Sequence, residues 1–273
     1  MSAAISADQT GVWSSLNYLG AMADKPRFHV YERARDHLNL VAHRTFVADA
    51  RAAGLSLEAH GFCLTTFRST ANLKSQKDVL RIYGREVERL VVRLSGASVA
   101  ISAPLGVVRV CERSASLGNS AVHRPVRFVH SDYTDDSAMQ LLWHTFGNEP
   151  GFPERRCAIY HVWRVLTPTP QDSPLALCDA GTVEADDPVA AETVLDFPGS
   201  RRGKLDATLF RFNARHRWFY FPNMTPDEVV VFRGFDSGAR TFGRVPHTAF
   251  SDSTCPPDAP ARVSLDLRVL AIF

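Results

Sequence analysis

The chain has 273 residues, 45% hydrophobic and 22% charged, a balance that lets a globular protein bury a large core without disulfides or structural zinc. Its formal net charge of +2 is too small to suggest a nucleic-acid or anionic-membrane surface. Five widely spaced cysteines (Cys63, Cys111, Cys157, Cys178, Cys255) form no C-x-x-C pair, which excludes zinc-ribbon and thioredoxin-type chemistry and favours reduced, buried thiols.

Residues 1–26 are small and polar and read as an arm or loose lead-in. "RFHVYE" and "HRTFVADAR" alternate like short strands. The stretch 75–97 is the clearest helix: Val79, Leu80, Tyr83, Val87, Leu90, Val91 and Leu94 form one apolar stripe, and Gly96 offers a stop. Strand signals then dominate, in "SVAISA", "GVVRVCER" and "PVRFVH". A short helix is expected at 135–146, followed by "RCAIYHVWRVL", "PLALCDAGTV", "ATLFRFN", "HRWFYFPN", "EVVVFRGFDS" and "ARVSLDLRVLAIF". Stretches 113–122 and 184–204 read as loops bordering a pocket, and 167–174 and 251–260 as insertions. The pattern predicts a mainly β protein, a sandwich or jelly roll with supporting α-helices, in a single domain over 1–273. No cationic leader opens the chain and no apolar run approaches ~18 residues, so the expectation is a cytoplasmic protein with no membrane partner.

Chemistry concentrates in "RFVHSDYT" (127–134). On a strand end, alternation points His130 and Asp132 to one face, where they are two metal ligands or a hydrogen-bonded pair closing a turn. The third ligand is sought among the remaining histidines. His29, His37, His43, His60 and His144 read as structural or exposed. His161 and His216 lie in strand-like runs, and His247 lies in "GRVPHTAF". Only His247 is followed by the terminal-strand pattern Arg262-x-Ser264-x-Asp266-x-Arg268, and His216 remains the rival. The polar face of that strand is either solvated or lines a barrel mouth, where a guanidinium fork suits a carboxylate. His-x-Asp, a distal His and a following Arg describe two imidazoles and a carboxylate on one face of Fe(II), with positions open for a co-substrate and O2.

The chain resembles the AsaB/CmcJ-like family of hydroxylases and desaturases of secondary metabolism. The resemblance rests on "VHSDYT" (129–134), "VWRVL" (162–166), "LALCDAGTV" (175–183), "HRWFYFPNMTPDEVVVFRGFDS" (216–237), "PHTAF" (246–250) and "ARVSLDLR" (261–268), with weaker echoes in "VADAR", "LEAHGF" and Val108-Arg109. It implies a double-stranded β-helix (jelly roll, cupin-like) oxygenase using Fe(II), 2-oxoglutarate and O2. The implied metal ligands are His130, Asp132 and His247, and Arg262 would take the 2-oxoglutarate carboxylate. Arg268 resembles the second arginine of the R-x-N-x-T-x-R signature of AlkB-type dioxygenases. Here Ser264 and Asp266 replace Asn and Thr, so Arg268 is a second candidate 2-oxoglutarate contact or is held by Asp266. The family's W-R-P block is Trp163-Arg164-Val165, with Trp163 a candidate co-substrate contact and His161 where a residue such as Asn is expected. Tyr133, Arg109, Arg164 and His216 are candidate substrate contacts. The implied activity is hydroxylation, desaturation or oxidative cyclisation of a small molecule. The rivals are a non-catalytic jelly-roll binding protein and an AlkB-like nucleic-acid oxygenase; near-neutral charge and the lack of a basic–aromatic stripe count against the latter.

Overall fold

The apolar stripe between Val79 and Leu94 does form a helix, but in three pieces. Ser75 caps Gln76–Asp78, Val79–Tyr83 is a π turn, and α1 (Gly84–Ser95) runs to a left-handed Gly96 at φ 75°. The wider turn carries Leu80 off the stripe to 39% exposure, while Val79, Tyr83, Val87, Leu90 and Val91 stay buried. The computed structural model describes residues 10–104, 106–114, 123–199 and 201–273. Of the expected 113–122 loop, residues 115–122 lie outside the described residues.

Before that helix come β1 (Gly11–Leu19), β2 (Arg27–His29), β3 (Leu40–Asp49) and β4 (Phe62–Thr66). After it come β5 (Val99–Ser102), β6 (Val107–Val110) and β7 (His130–Ser131), then α2 (Asp135–Phe146). Next are β8 (Cys157–Val165), β9 (Leu175–Cys178), β10 (Pro188–Leu195) and β11 (Gly203–Phe210). The chain closes with β12 (Trp218–Tyr220), β13 (Glu228–Asp236), β14 (His247–Ala249) and β15 (Val263–Ile272). The segment 27–32 is strand only to His29.

Two sheets result. One has nine strands in the order β1-β3-β12-β9-β14-β7-β11-β10-β2, and the other runs β4-β13-β8-β15-β5 with β6 also on β15. Their inner faces meet in a cluster that joins Ala48, Leu177 and Phe219 of the first to Phe62, Trp163 and Phe232 of the second. The six-stranded sheet buries its other face under α1, where Val87, Leu90 and Val91 pack on Val162, Leu265, Leu267 and Val269. The apolar face of β15 therefore looks outward to a helix, and its polar face looks into the sandwich. This is the barrel-lining alternative, not the solvated one. α2, capped by Thr134 on the Ser137 amide, packs Ala138, Leu142 and Phe146 against Ile159 and Leu270 at one end.

Two expectations are corrected. Within the arm read over 1–26, Gly11–Leu19 pairs along its full length with β3 and buries Leu16 and Tyr18. Its alternation had been masked by serines and asparagine on the half-exposed side. The stretch 184–204 is not all loop: Pro188–Leu195 pairs with β11 in an antiparallel ladder. Cys63, Cys111, Cys157, Cys178 and Cys255 are all free thiols, and Cys111, Cys157 and Cys178 are buried.

Candidate metal centre

β14 pairs with β7 so that His247 lies directly across from His130, and the two rings are 4.3 Å apart between centroids. Asp132 leaves the end of β7 on the same side. His130 Nε2 is 3.5 Å and His247 Nε2 4.0 Å from Asp132 Oδ1. Both histidines use one local device: Nδ1 faces the carbonyl two residues earlier, Phe128 for His130 and Val245 for His247, each at 3.0 Å. A carbonyl can only accept, so each Nδ1 carries the hydrogen and each Nε2 presents a bare lone pair. The three donor atoms lie within 4.8 Å of one another. This is the donor set and spacing that a ferrous ion takes.

The second carboxylate oxygen is held from the opposite sheet. Arg268 donates to Asp132 Oδ2 from Nη2 at 2.5 Å and from Nε at 3.2 Å. Burial would raise the Asp132 pKa, but Arg268 together with His130 and His161 outweighs it and keeps the carboxyl well below its usual range. Burial likewise opposes the Arg268 charge, and Tyr133, Asp132 and Asp266 overcome that and hold it protonated. Burial, reinforced by the charge of His130, pushes His247 down to about 3, so its imidazole is neutral and able to ligate. The expected partner of Arg268, Asp266, is engaged elsewhere: His161 Nδ1 donates to its Oδ2 at 2.9 Å.

His161 lies across from both Arg268 and Phe232, stacked on the Phe232 ring at 4.5 Å and 6°. Its Nε2 is buried without a hydrogen-bond partner, 4.0 Å from Asp132 Oδ2. Asp132, His161 and Asp266 thus form a second close trio. It shares Asp132 with the first through the oxygen that Arg268 occupies. His161 stood out in the sequence as a departure from the W-R-P block, but its pairing with Asp266 spans 105 positions and had no local signal.

A narrow cavity of about 30 Å³ opens over these groups, lined by Arg109, Val126, Trp163, Phe232, Arg262 and Asp266 beside the triad. Arg262 is 1% exposed and makes no ion pair among the described residues; its Nε and Nη2 have no hydrogen-bond partner. Its guanidinium carbon sits 5.5 Å from the Trp163 ring. Burial, then repulsion from Arg109, brings its pKa down to about 10, so it remains charged at neutral pH. An unpaired buried guanidinium is a costly feature that an anionic ligand offsets.

The structure does not bring the other expected contacts to the cavity. Arg164 points out of the sandwich, where it donates to the Phe67 carbonyl at 2.6 Å and lies over the Tyr83 ring. Alternation along β8 puts Trp163 inside and Arg164 outside. His216 is locked between Tyr18 Oη and Asp187 Oδ2, at 3.0 Å each, so it is neither the third ligand nor a pocket residue. With Trp218 and Tyr220 it belongs to aromatic packing. Tyr133 packs with Ala138 and Leu142 of α2, in a core cluster beside the site.

A family model, the Oxidoreductase/YMDC permease-like domain, matches residues 16–272. The chain belongs to this family. Its curated relatives include the Fe(II)/2-oxoglutarate-dependent dioxygenase nvfI of Aspergillus novofumigatus (strain IBT 16806), 28% identical over 249 residues, 90% of this chain and 82% of the relative. The hydroxylase/desaturase efuI of Hormonema carpetanum is 29% identical over 239 residues, 80% of this chain and 79% of the relative. The hydroxylase/desaturase asaB of Aspergillus flavus is 34% identical over 128 residues, 43% of this chain and 56% of the relative, in line with the motif resemblance. Among solved structures, the iron and alpha-ketoglutarate-dependent endoperoxidase NvfI superposes with a TM-score of 0.84 at 24% identity, covering 97% of this chain and 98% of that one. The fold is thus a jelly roll, as the strand pattern suggests, in the double-stranded β-helix form that the family resemblance implies.

Proposed function

We propose that this family member is an Fe(II)- and 2-oxoglutarate-dependent oxygenase that oxidises a small organic molecule, with His130, Asp132 and His247 as the metal ligands. The observation that carries the residue assignment is the convergence of two tautomer-locked imidazoles and one carboxylate oxygen within 4.8 Å. Arg268 keeps the other Asp132 oxygen occupied, which favours a single ligating oxygen and leaves coordination positions open. Arg262, buried and unpaired on the cavity wall over Trp163, takes the far carboxylate of 2-oxoglutarate. A ferrous ion held by His130, Asp132 and His247 would, with O2, couple decarboxylation of 2-oxoglutarate to succinate and CO2 with oxidation of a substrate C–H bond.

The residues around it bind, orient and keep the site dry. Phe232, Val126, Leu175 and Ala249 give the cavity apolar walls that restrict water. Substrate pose within those walls selects hydroxylation, desaturation or ring closure. Both sheets contribute to this one cavity, which supports treating 1–273 as a single catalytic domain. Among the described residues no helix is long and apolar enough to cross a membrane. The function is tested by aerobic succinate release with Fe(II) and 2-oxoglutarate over a metabolite panel, with product mass reporting gain of oxygen or loss of two hydrogens. Iron-dependent succinate is expected; its absence with an intact, iron-loaded protein refutes the activity.

A further inference from the structure

We propose that the molecule oxidised here is an organic carboxylate with an apolar body, received by Arg33, Arg109 and His123 on a cationic wall beside the metal site. This rests on the oxygenase reading above and adds the substrate class. It begins with ion pairing. Around the cavity the acids are spoken for: Asp132 holds Arg268, Glu112 holds Arg127, Asp172 holds Arg113, and Asp266 accepts from His161. Among the described residues, Arg33, Arg109 and Arg262 make no ion pair at all. Arg109 spends one Nη1 bond on the Arg124 carbonyl, at 2.9 Å. Arg33 Nε and His123 Nδ1 are buried with no hydrogen-bond partner. A 2-oxoglutarate dianion would place one carboxylate at the metal and one at Arg262, so it adds no partner for Arg33 or Arg109; the acids that act on them, Asp36 on Arg33 and Asp132 on Arg109, form no direct ion pair with them among the described residues. Both side chains are half-buried, and a half-buried guanidinium without a direct ion pair is a ready partner for an anionic ligand.

Of the three, Arg109 reaches the metal cavity, His123 sits beside it, and Arg33 lies behind Phe128. Arg109 lines the same cavity as His130, Asp132 and His247. His123 is bridged to Arg109, with its amide on the Val108 carbonyl and its carbonyl on the Val110 amide, both at 2.9 Å. The Arg33 guanidinium carbon lies 5.9 Å over the Phe128 ring, which itself sits 5.6 Å from the His130 ring. Burial and the charges of Arg109, Arg268 and Arg33 push His123 down to about 4. At neutral pH it is an uncharged imidazole that adds a hydrogen-bond donor without adding repulsion. Two guanidiniums and one imidazole N–H match the acceptor geometry of a planar carboxylate. The neighbouring Val126, Leu175 and Ala249 suit an apolar remainder.

The test titrates the Mn(II)-loaded enzyme, saturated with 2-oxoglutarate, with phenylacetate, octanoate and 3-hydroxybenzoate and with the primary amide of each, by calorimetry. At least one acid is expected to bind about tenfold or more tighter than its amide, the value of a charge-assisted contact. Arg33→Gln, Arg109→Gln and His123→Asn should each weaken that acid by about tenfold while 2-oxoglutarate affinity, read from the anaerobic Fe(II)·2-oxoglutarate absorption band, moves by less than about threefold. That band also reports that each variant is folded. Acids and amides that bind alike, or no acid binding at all, overturn the proposal. Variants that lose 2-oxoglutarate instead assign the wall to the co-substrate and also overturn it. Failure of the oxygenase reading itself appears separately, as no absorption band in the wild-type protein.

Discussion

At the scale of single residues, each wall of the site is fixed by a group with one partner to lose. Among the described residues Arg262 has no ion-pair partner, so Arg262→Gln strands no described acid and acts on the ligand. Its loss should raise the 2-oxoglutarate dissociation constant by about 10- to 100-fold, the range for a charge-assisted bond, with metal affinity retained. An anaerobic titration of the absorption band measures it, and unchanged affinity would remove Arg262 from the co-substrate site. His161 is the reverse case. His161→Leu strands Asp266, whose Oδ1 already lacks a partner, and should lower stability by about 1–3 kcal/mol in a denaturant melt. The metal trio was legible in the sequence because His130 and Asp132 sit two apart and His247 opens its own motif. Arg268 was assigned the wrong acid because its pairing with Asp132 joins positions 136 apart, and nothing local at either end signals it.

At the scale of elements, the strands that carry the ligands are among the shortest of those described. β7 has two residues and β14 three, and each exists because its neighbours in the nine-stranded sheet fix it. No propensity argument finds a two-residue strand, whereas β8, β13 and β15, long and rich in β-branched residues, were plain in the sequence. Helix α2 was also plain, with its Thr134 cap and apolar spacing. β1 was not, because alternation with Ser14, Ser15 and Asn17 resembles a polar lead-in until β3 is placed beside it. The strand is nonetheless integral. Leu16 is 1% exposed in the core with Val47 and Trp218, and Leu16→Ala should cost about 2–5 kcal/mol. A loose arm would instead show a change near zero in the same melt.

At the scale of the whole molecule, the cavity is a shared product of two sheets: one gives the metal ligands, the other Arg262, Arg268, His161 and Trp163. The outward face of the second sheet is an ordinary apolar contact with α1, so polarity on β15 is concentrated where the ligands are. The arrangement also sets the acid response of the metal-free protein. His123 falls from its ordinary 6.5 to about 4 through burial and the nearby arginines, so the unfolded chain takes up this proton first. The stability it contributes is present above about 6.5 and is lost as pH falls toward about 4. Burial would raise Glu112, but the bond and charge of Arg127, with a backbone amide and the Cys111 thiol, together lower it to about 2, which adds a loss in the same direction below its ordinary 4.5. Thermal melts should therefore show the midpoint falling steadily from pH 7 to pH 4, and a flat profile would contradict the burial of these groups.

The central claim is that His130, Asp132 and His247 hold iron with 2-oxoglutarate bound beside them. Its most direct test is the anaerobic absorption difference on adding Fe(II) and 2-oxoglutarate to the wild-type protein and to His247→Ala and His216→Gln. The structure predicts a visible metal-to-ligand band in the wild type, its loss in His247→Ala and its retention in His216→Gln. No band in the wild type, or a band kept without His247 and lost without His216, would contradict it.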